Sequence, residues 1–416
     1  MRGTVASAGG GGPVRRTARA SLGLRTWAGL TLVVVLGGCE AAAPRTPPPT
    51  STPSASAPVS PGGPTPAGPS SAGPSPPGPS PPEPVRLEPV ELVADLSEAP
   101  VSWERVVFLP FGPARDELGS ELRRRYASIP VVPPSLAIDH DGSLWILDYA
   151  KRRVVHFRAD GRLLEDFGGL DANRFDPFGQ DMAFVGDGLY LLEEIHHVRG
   201  SLLRTVSAEG IGPRIPLTVD KEPVVVQNFV APLPDLAGFA HGALDETFRP
   251  PPGGGPTGDI EIDPATGRGT IVDGFALADG DRMDLQVTPG GDGRRVAVLH
   301  GSGAGASLLP VRVRVRPAAD EPDVPATVTW RVFGASVHSI VAWVQLSPSR
   351  RADQERFGGG QWMLEAFDDG EPLVWEPIAI SPLPSTQWRR LAVGFDGSIY
   401  QMLSTRTGML IVRRPS

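Results

Sequence analysis

A strand–turn–strand segment that returns at a regular interval constrains this chain more than anything else in it. SLAIDHDGSLWILD (135–148) and RLAVGFDGSIYQML (390–403) agree position by position: Leu-Ala and a β-branched residue, then Asp-Gly-Ser, then alternating apolar residues. Weaker copies are DMAFVGDGLYLLEE (181–194) and LQVTPGGDGRRVAVLH (285–300). Asp-Gly between two apolar runs marks a β-hairpin, because both residues tolerate the positive φ that a tight turn demands. The Asp-Gly pairs stand at 141, 187, 292 and 396, which is one, two and two steps of about 50 residues. Unmarked copies are expected near 240, within 224–242, and near 344, within VHSIVAWVQLSPSR (337–350). A second set of turns, at 159–161, 208–210, 265–267, 318–323 and 369–370, follows the first by about twenty residues. Units of four short strands, repeated radially, predict an all-β fold, here a six-bladed β-propeller. The last unit has three strands before Ser416, so a strand near 101–109 is expected to supply its fourth and hide the edge. Asp116–Tyr126 reads as one short helix.

The segment 133–168 resembles an NHL repeat. The resemblance is carried by Pro133, Ala137, Asp139, Gly142, Asp148, Arg153, Val154, Phe157 and Gly161. It is strong over that one unit, partial over 181–210 and 390–414, and absent over 217–280. It implies a propeller of the NHL or TolB-like type and no particular activity, since propellers host many functions.

The first 85 residues cannot belong to that fold. Five arginines and no acid precede the apolar run Trp27–Leu36, which ends in Leu36-Gly37-Gly38-Cys39. A basic start, a short apolar run and small residues before a cut site predict a secretory signal over 1–38. The tetrad LGGC resembles the bacterial lipobox, which implies a thioether-linked diacylglycerol on Cys39, the single cysteine of the chain. Residues 40–85 hold 17 of the 47 prolines among Ser, Thr, Ala and Gly. Such a composition cannot bury enough surface to fold, so 39–85 is read as an extended tether and 86–416 as the propeller. The expected location is extracytoplasmic, at a bacterial cell envelope, with the membrane as a partner through Cys39.

Charge and motifs exclude several functions. Residues 1–85 carry six Arg and two acids (+4), so 86–416 carry −8 − 4 = −12. A folded part with that balance lacks the cations that neutralise phosphates, and no nucleic-acid partner is expected. Neither lysine, Lys151 or Lys221, follows a phosphate-loop glycine, and no G-x-S-x-G or H-E-x-x-H occurs. The densest polar cluster is Glu193-Glu194-Ile195-His196-His197. Glu194 and His196 share one strand face and form the one weak candidate for a divalent metal; no other cofactor is expected. Asp139–Ser143 lacks the distal acid of a calcium loop and reads as turn chemistry. Asp139 and Asp148 are carboxylates expected near the ring axis or its rim. Arg350-Arg351 and Arg389-Arg390 read as solvated basic pairs, and the tryptophans as packing between blades. The expected function is a binding or scaffold module for an envelope protein or a small ligand. The long insert 233–258 marks the face expected to contribute. The alternative is a metal-assisted hydrolase or lactonase working at the central channel.

Overall fold

A computed structural model describes residues 85–121, 130–170, 178–195, 200–224, 226, 228–230, 237–240, 259–272, 275–276, 282–290, 293–300, 307–335, 339–367, 373–383, 387 and 389–416. Cys39 and tether residues 40–84 lie outside them, whereas Val85, expected to end the tether, begins the strand Val85–Arg86. The protein is an all-β chain of propeller type. Among the described residues one helix, Arg351–Phe357, and one 3-10 turn, Tyr149–Lys151, interrupt the strands.

Antiparallel meanders follow one another along the chain. Ser135–Ile138, Leu144–Asp148, Arg153–Phe157 and Leu163–Gly168 form the first sheet. Phe178–Val185, Gly188–Ile195, Gly200–Ser207 and Gly210–Ile211 form the core of the second. The third runs through Asn228–Val230, Ala237–Ala240, Asp259–Asp263 and Arg268–Val272. Near the C-terminus, Leu391–Val393, Ile399–Ser404 and Gly408–Arg414 are completed by Glu104–Pro110, antiparallel to Gly408–Arg414. Because that fourth strand comes from the opposite end of the chain, unfolding one end exposes an edge at the other.

Local chemistry explains the hairpins. In the first unit Gly142 donates to Asp139 O, and Asp139 donates to Ser143 O. In the last, Gly397 donates to Gly394 O and Gly394 to Ser398 O. Both are three-residue loops closed by a glycine at positive φ, +78° for Gly142 and +79° for Gly397.

The unit around 282–316 differs. Arg282–Gly290, Gly293–His300 and Ser307–Arg316 form a meander. The free side of Ser307–Arg316 takes the N-terminal strands Val85–Arg86 and Val90–Asp95 in parallel. A two-residue bridge, Arg314 to Pro325 and Val315 to Val324, carries this sheet into the next one, Val324–Ala335, Ser339–Pro348, Gly360–Phe367 and Val374–Pro377. The two sheets share one apolar core, in which Leu92, Val311 and Val315 join Val328, Ile340, Leu346 and Trp362.

The innermost strands show the consequence. Ser135–Ile138, Phe178–Val185, Asn228–Val230, Val324–Ala335 and Leu391–Val393 neighbour one another in that order, and the last returns to the first. Arg282–Gly290 does not stand between Asn228–Val230 and Val324–Ala335, which approach each other directly. Turn spacing counts meanders along the chain; it does not say which of them reach the axis. The expected helix at 116–126 is not formed over 116–121, which carry turns and a bridge from Glu121 to Val131; 122–126 lie outside the described residues.

Candidate functional site

The five inner strands meet on one buried ion pair. Asp181, 0% exposed, and Arg389, 2% exposed, face each other with two nitrogen–oxygen distances of 2.6 Å, Nε to Oδ1 and Nη2 to Oδ2. Arg389 Nη1 donates to Phe333 O at 2.7 Å and to Leu391 O, while Nη2 also donates to Phe229 O at 2.8 Å. All five guanidinium N–H donors are therefore engaged. Asp181 Oδ1 further accepts from Ser135 Oγ at 2.7 Å and from its own strand at Met182 N, and Oδ2 accepts from Phe229 N at 2.8 Å. The Arg389 backbone N–H donates to Pro134 O. Ser135, Asp181, Phe229, Phe333 and Arg389 belong to, or directly precede, the five inner strands. A bidentate pair with every lone pair and proton used is the one form in which burying two charges is tolerable. Both oxygens of Asp181 are occupied by protein donors. Chemically this is a lock.

The lock divides the axis. On the hairpin side, Leu136, Ile138, Met182, Phe184, Ala392 and Val393 line a recess with room for about one water. Its rim is aromatic: His140 stacks on Phe395 with centroids 3.5 Å apart and reaches Asp187 at 3.4 Å, joining three hairpin turns. On the side where the inner strands begin, the character changes. Arg390 lies over the Trp343 ring, 5.1 Å from its centroid. Arg331 is the cross-strand partner of Trp343, so the two side chains share a sheet face. Burial lowers the pKa of both guanidiniums, and Arg390 lowers that of Arg331 further while Asp181 acts in the opposite sense. Both remain cations, since arginine does not deprotonate in proteins.

Other sequence candidates fall elsewhere. Asp148 is fully buried but faces outward from the axis, accepting from Arg153 Nε at 2.9 Å and from Gly119 N at 3.0 Å. Burial raises its pKa against the opposing pull of Arg153. Arg153 and Lys151 then donate to the carbonyls of Arg115, Glu117 and Ala114, fastening segment 112–121 across the first unit. Asp139 accepts from Trp145 Nε1 and caps its own turn. Glu193 is buried between Arg204 and Arg214. The backbone of Glu194 is paired with Phe178 and Ser201. The Glu194 side chain and all of His196 lie outside the described residues. Among the described residues no three His, Cys, Asp or Glu side chains converge.

The pair Arg389-Arg390, expected on a solvated face, is the main correction. Arg389 is core, because Asp181 and three carbonyls replace its water. Aligned on Leu-Ala and Asp-Gly, the head position holds Ser135, Asp181 and Arg390, so the repeat marks the axis through Ser135 and Asp181 but points one residue past Arg389.

No family model matches the sequence, and no curated protein matches it. Solved structures are similar at a distance. A member of the DUF4221 family from Bacteroides vulgatus is 9% identical, with a TM-score of 0.40, over 76% of this chain and 99% of that one. A gluconolactonase from Xanthomonas campestris is 12% identical, with a TM-score of 0.34, over 76% and 99%. A PQQ-bound aldose sugar dehydrogenase from Streptomyces coelicolor is 13% identical, with a TM-score of 0.33, over 71% and 98%. Likeness of this degree says nothing of activity, and the propeller-type assignment rests on the sheets themselves.

Proposed function

We propose that this protein is a lipid-anchored extracytoplasmic module that binds a protein or a small ligand through one face of its ring. Cys39 carries the lipid, residues 40–85 hold the ring away from the membrane, and 86–416 do the binding. At about 3.1 Å per residue an extended tether of that length reaches on the order of 140 Å. The observation that supports binding over catalysis is the saturated Asp181–Arg389 pair. A hydrolase working at the channel needs an axial carboxylate with a lone pair open to water, metal or substrate, and Asp181 has none. The rigid ring with variable connections is suited to recognition. The long insert 233–258, with its PPPGGGPTG run, is proposed to contribute to the binding surface; residues 241–258 lie outside the described residues.

Two experiments test this reading. Cys39→Ala is expected to move the protein from the membrane fraction to the soluble one, with a lipid mass on Cys39 in the wild type. Retention of residues 1–38, or an unmodified Cys39, contradicts the anchor. Purified 86–416 is expected to be inert toward a panel of lactones and esters with and without added divalent metal. Metal-dependent turnover, abolished by a substitution in the ring, would replace the binding reading with the hydrolase one.

A further inference from the structure

The strand Val90–Asp95 belongs neither to the ring nor to a hairpin. Among the described residues it pairs with one strand, Ser307–Arg316, in parallel, with Val90 opposite Val311 and Asp95 opposite Arg316. Its side chains alternate between two faces. Leu92, 8% exposed, and Ala94, 0% exposed, enter the apolar core beside Val311, Val315 and Trp362. Glu91 and Asp95 project from the other face, where Glu91 Oε1 lies 3.7 Å from Arg312 Nη1 and Asp95 Oδ2 lies 3.9 Å from Arg316 Nη1. Between them Val93 stands opposite Arg314, which donates to Asp323 O. Val93 O accepts from Trp375 Nε1 at 3.2 Å, so an indole and not a further strand takes that carbonyl. Ser307–Arg316 thus offers room for one strand, apolar on one face and basic on the other.

This slot and the ring are fastened separately. Ser97–Pro100 are exposed. Beyond them the Val101 backbone donates to Pro377 O at 2.9 Å and Trp103 Nε1 to Glu376 Oε1 at 3.0 Å, before Glu104–Pro110 closes the ring. Withdrawal of Val90–Asp95 as far as Val101 leaves those bonds and the closing strand in place. A strand held by one neighbour and joined by an exposed connector opens more readily than the core. In strand addition, backbone pairing supplies affinity and alternate side chains supply choice. We propose that Ser307–Arg316 is a strand-docking site that Val90–Asp95 occupies from within the chain. The external occupant is a partner protein's extended segment, paired in parallel, with apolar side chains at two alternate positions and a carboxylate on either side of them. This surface is separate from the ring face, and neither reading depends on the other.

The test is titration of the full chain with a fluorescent peptide of residues 85–97, followed by anisotropy. Val93→Pro, which unseats the internal strand, is expected to bind the peptide about tenfold more tightly than the wild type, because the internal competitor is gone. A peptide carrying Glu91→Lys and Asp95→Lys should bind about three- to tenfold more weakly, and the protein variant Arg312→Glu with Arg316→Glu should reverse that preference. A purely structural edge strand predicts that Val93→Pro loses stability and gains no peptide binding. Absence of saturable binding by a Val93→Pro protein with the wild-type near-ultraviolet circular dichroism, or equal affinity for the two peptides, overturns the site. Hydrogen exchange of the wild type decides even if that variant does not fold. Amides of Val90–Asp95 are expected to exchange about tenfold or more faster than those of Glu104–Pro110. A common rate for the two strands overturns the proposal, since the slot would then open only with the ring. Concentration-dependent dimers that dissolve on adding the peptide would keep the slot and overturn the foreign partner in favour of the same segment from a second copy.

Discussion

The first unit, 135–168, and the meander 282–316 are built from the same strand–turn–strand vocabulary and end in different places. The first sends Ser135 to the axis, where its hydroxyl donates to Asp181. The second sends no described residue there; its last strand instead joins Val90–Asp95 and packs face-on over Val328, Ile340 and Trp362. Hairpin chemistry is local and identifies both. Membership of the ring is decided by a polar contact between residues far apart in sequence. Asp181 and Arg389 are 208 positions apart.

A graded series of substitutions and deletions breaks or sharpens that contrast. The largest effect is expected from deleting 86–110. This removes both Glu104–Pro110, which closes the last sheet of the ring, and Val90–Asp95, which edges the outlying one. Loss of the cooperative transition and aggregation are expected, whereas deleting 40–84 should leave the melting curve unchanged. Equal, mild effects of the two deletions would contradict a tether attached to a closed ring. To separate the two edges, Val107→Pro interrupts only the ring strand and Val93→Pro only the outer one; the first should be the more damaging. Next is Arg389→Met, which leaves Asp181 buried without its partner and should cost about 3–5 kcal/mol, read as a lower denaturant midpoint at unchanged slope. A cost within the range of an exposed arginine would show that the axis is wet.

Gly161→Ala comes third. Gly161 has φ +88°, and an added Cβ would stand 2.7 Å from Val107 Cγ2 on the closing strand. A loss of about 1–2 kcal/mol is expected from backbone strain and overpacking. Gly142→Ala, at a similar φ of +78° with nothing within 4 Å, should cost less. Equal losses would mean that strain alone, and not contact with the closing strand, sets the cost. The smallest effect on stability is expected from trimming 249–258, which should leave the midpoint nearly unchanged and reduce capture of envelope partners. Unchanged capture would remove this segment from the binding face.

The all-β class and the individual hairpins were legible in the sequence because each rests on neighbours: Asp139 to Ser143, Gly394 to Ser398. The N-terminal strand could be anticipated from a missing fourth strand in the last unit. The axis could not be read in the same way. Arg389 and Arg390 look like any exposed basic pair until Asp181, Phe229 and Phe333 are brought around the first of them, and a charged residue in isolation defaults to water. Asp148 misled in the opposite direction. Its place at the end of an inner hairpin suggested the rim of the channel, but Arg153, five residues on, turns it toward segment 112–121. Glu193 repeats the lesson, since Arg204 and Arg214 neutralise it within the second unit. In each case the nearest available arginine decides the role of the acid, and that choice is tertiary.

The central claim is that Asp181 and Arg389 act as one unit holding five inner strands, and a double-mutant cycle measures it directly. Asp181→Leu, Arg389→Met and the combined variant would be unfolded in urea alongside the wild type. Each single variant is expected to lose about 3–5 kcal/mol, because each strands one buried charge, and the double to lose much less than their sum. A coupling of about 2 kcal/mol or more is the result this account predicts. Additive losses, with no coupling between the two positions, would contradict it.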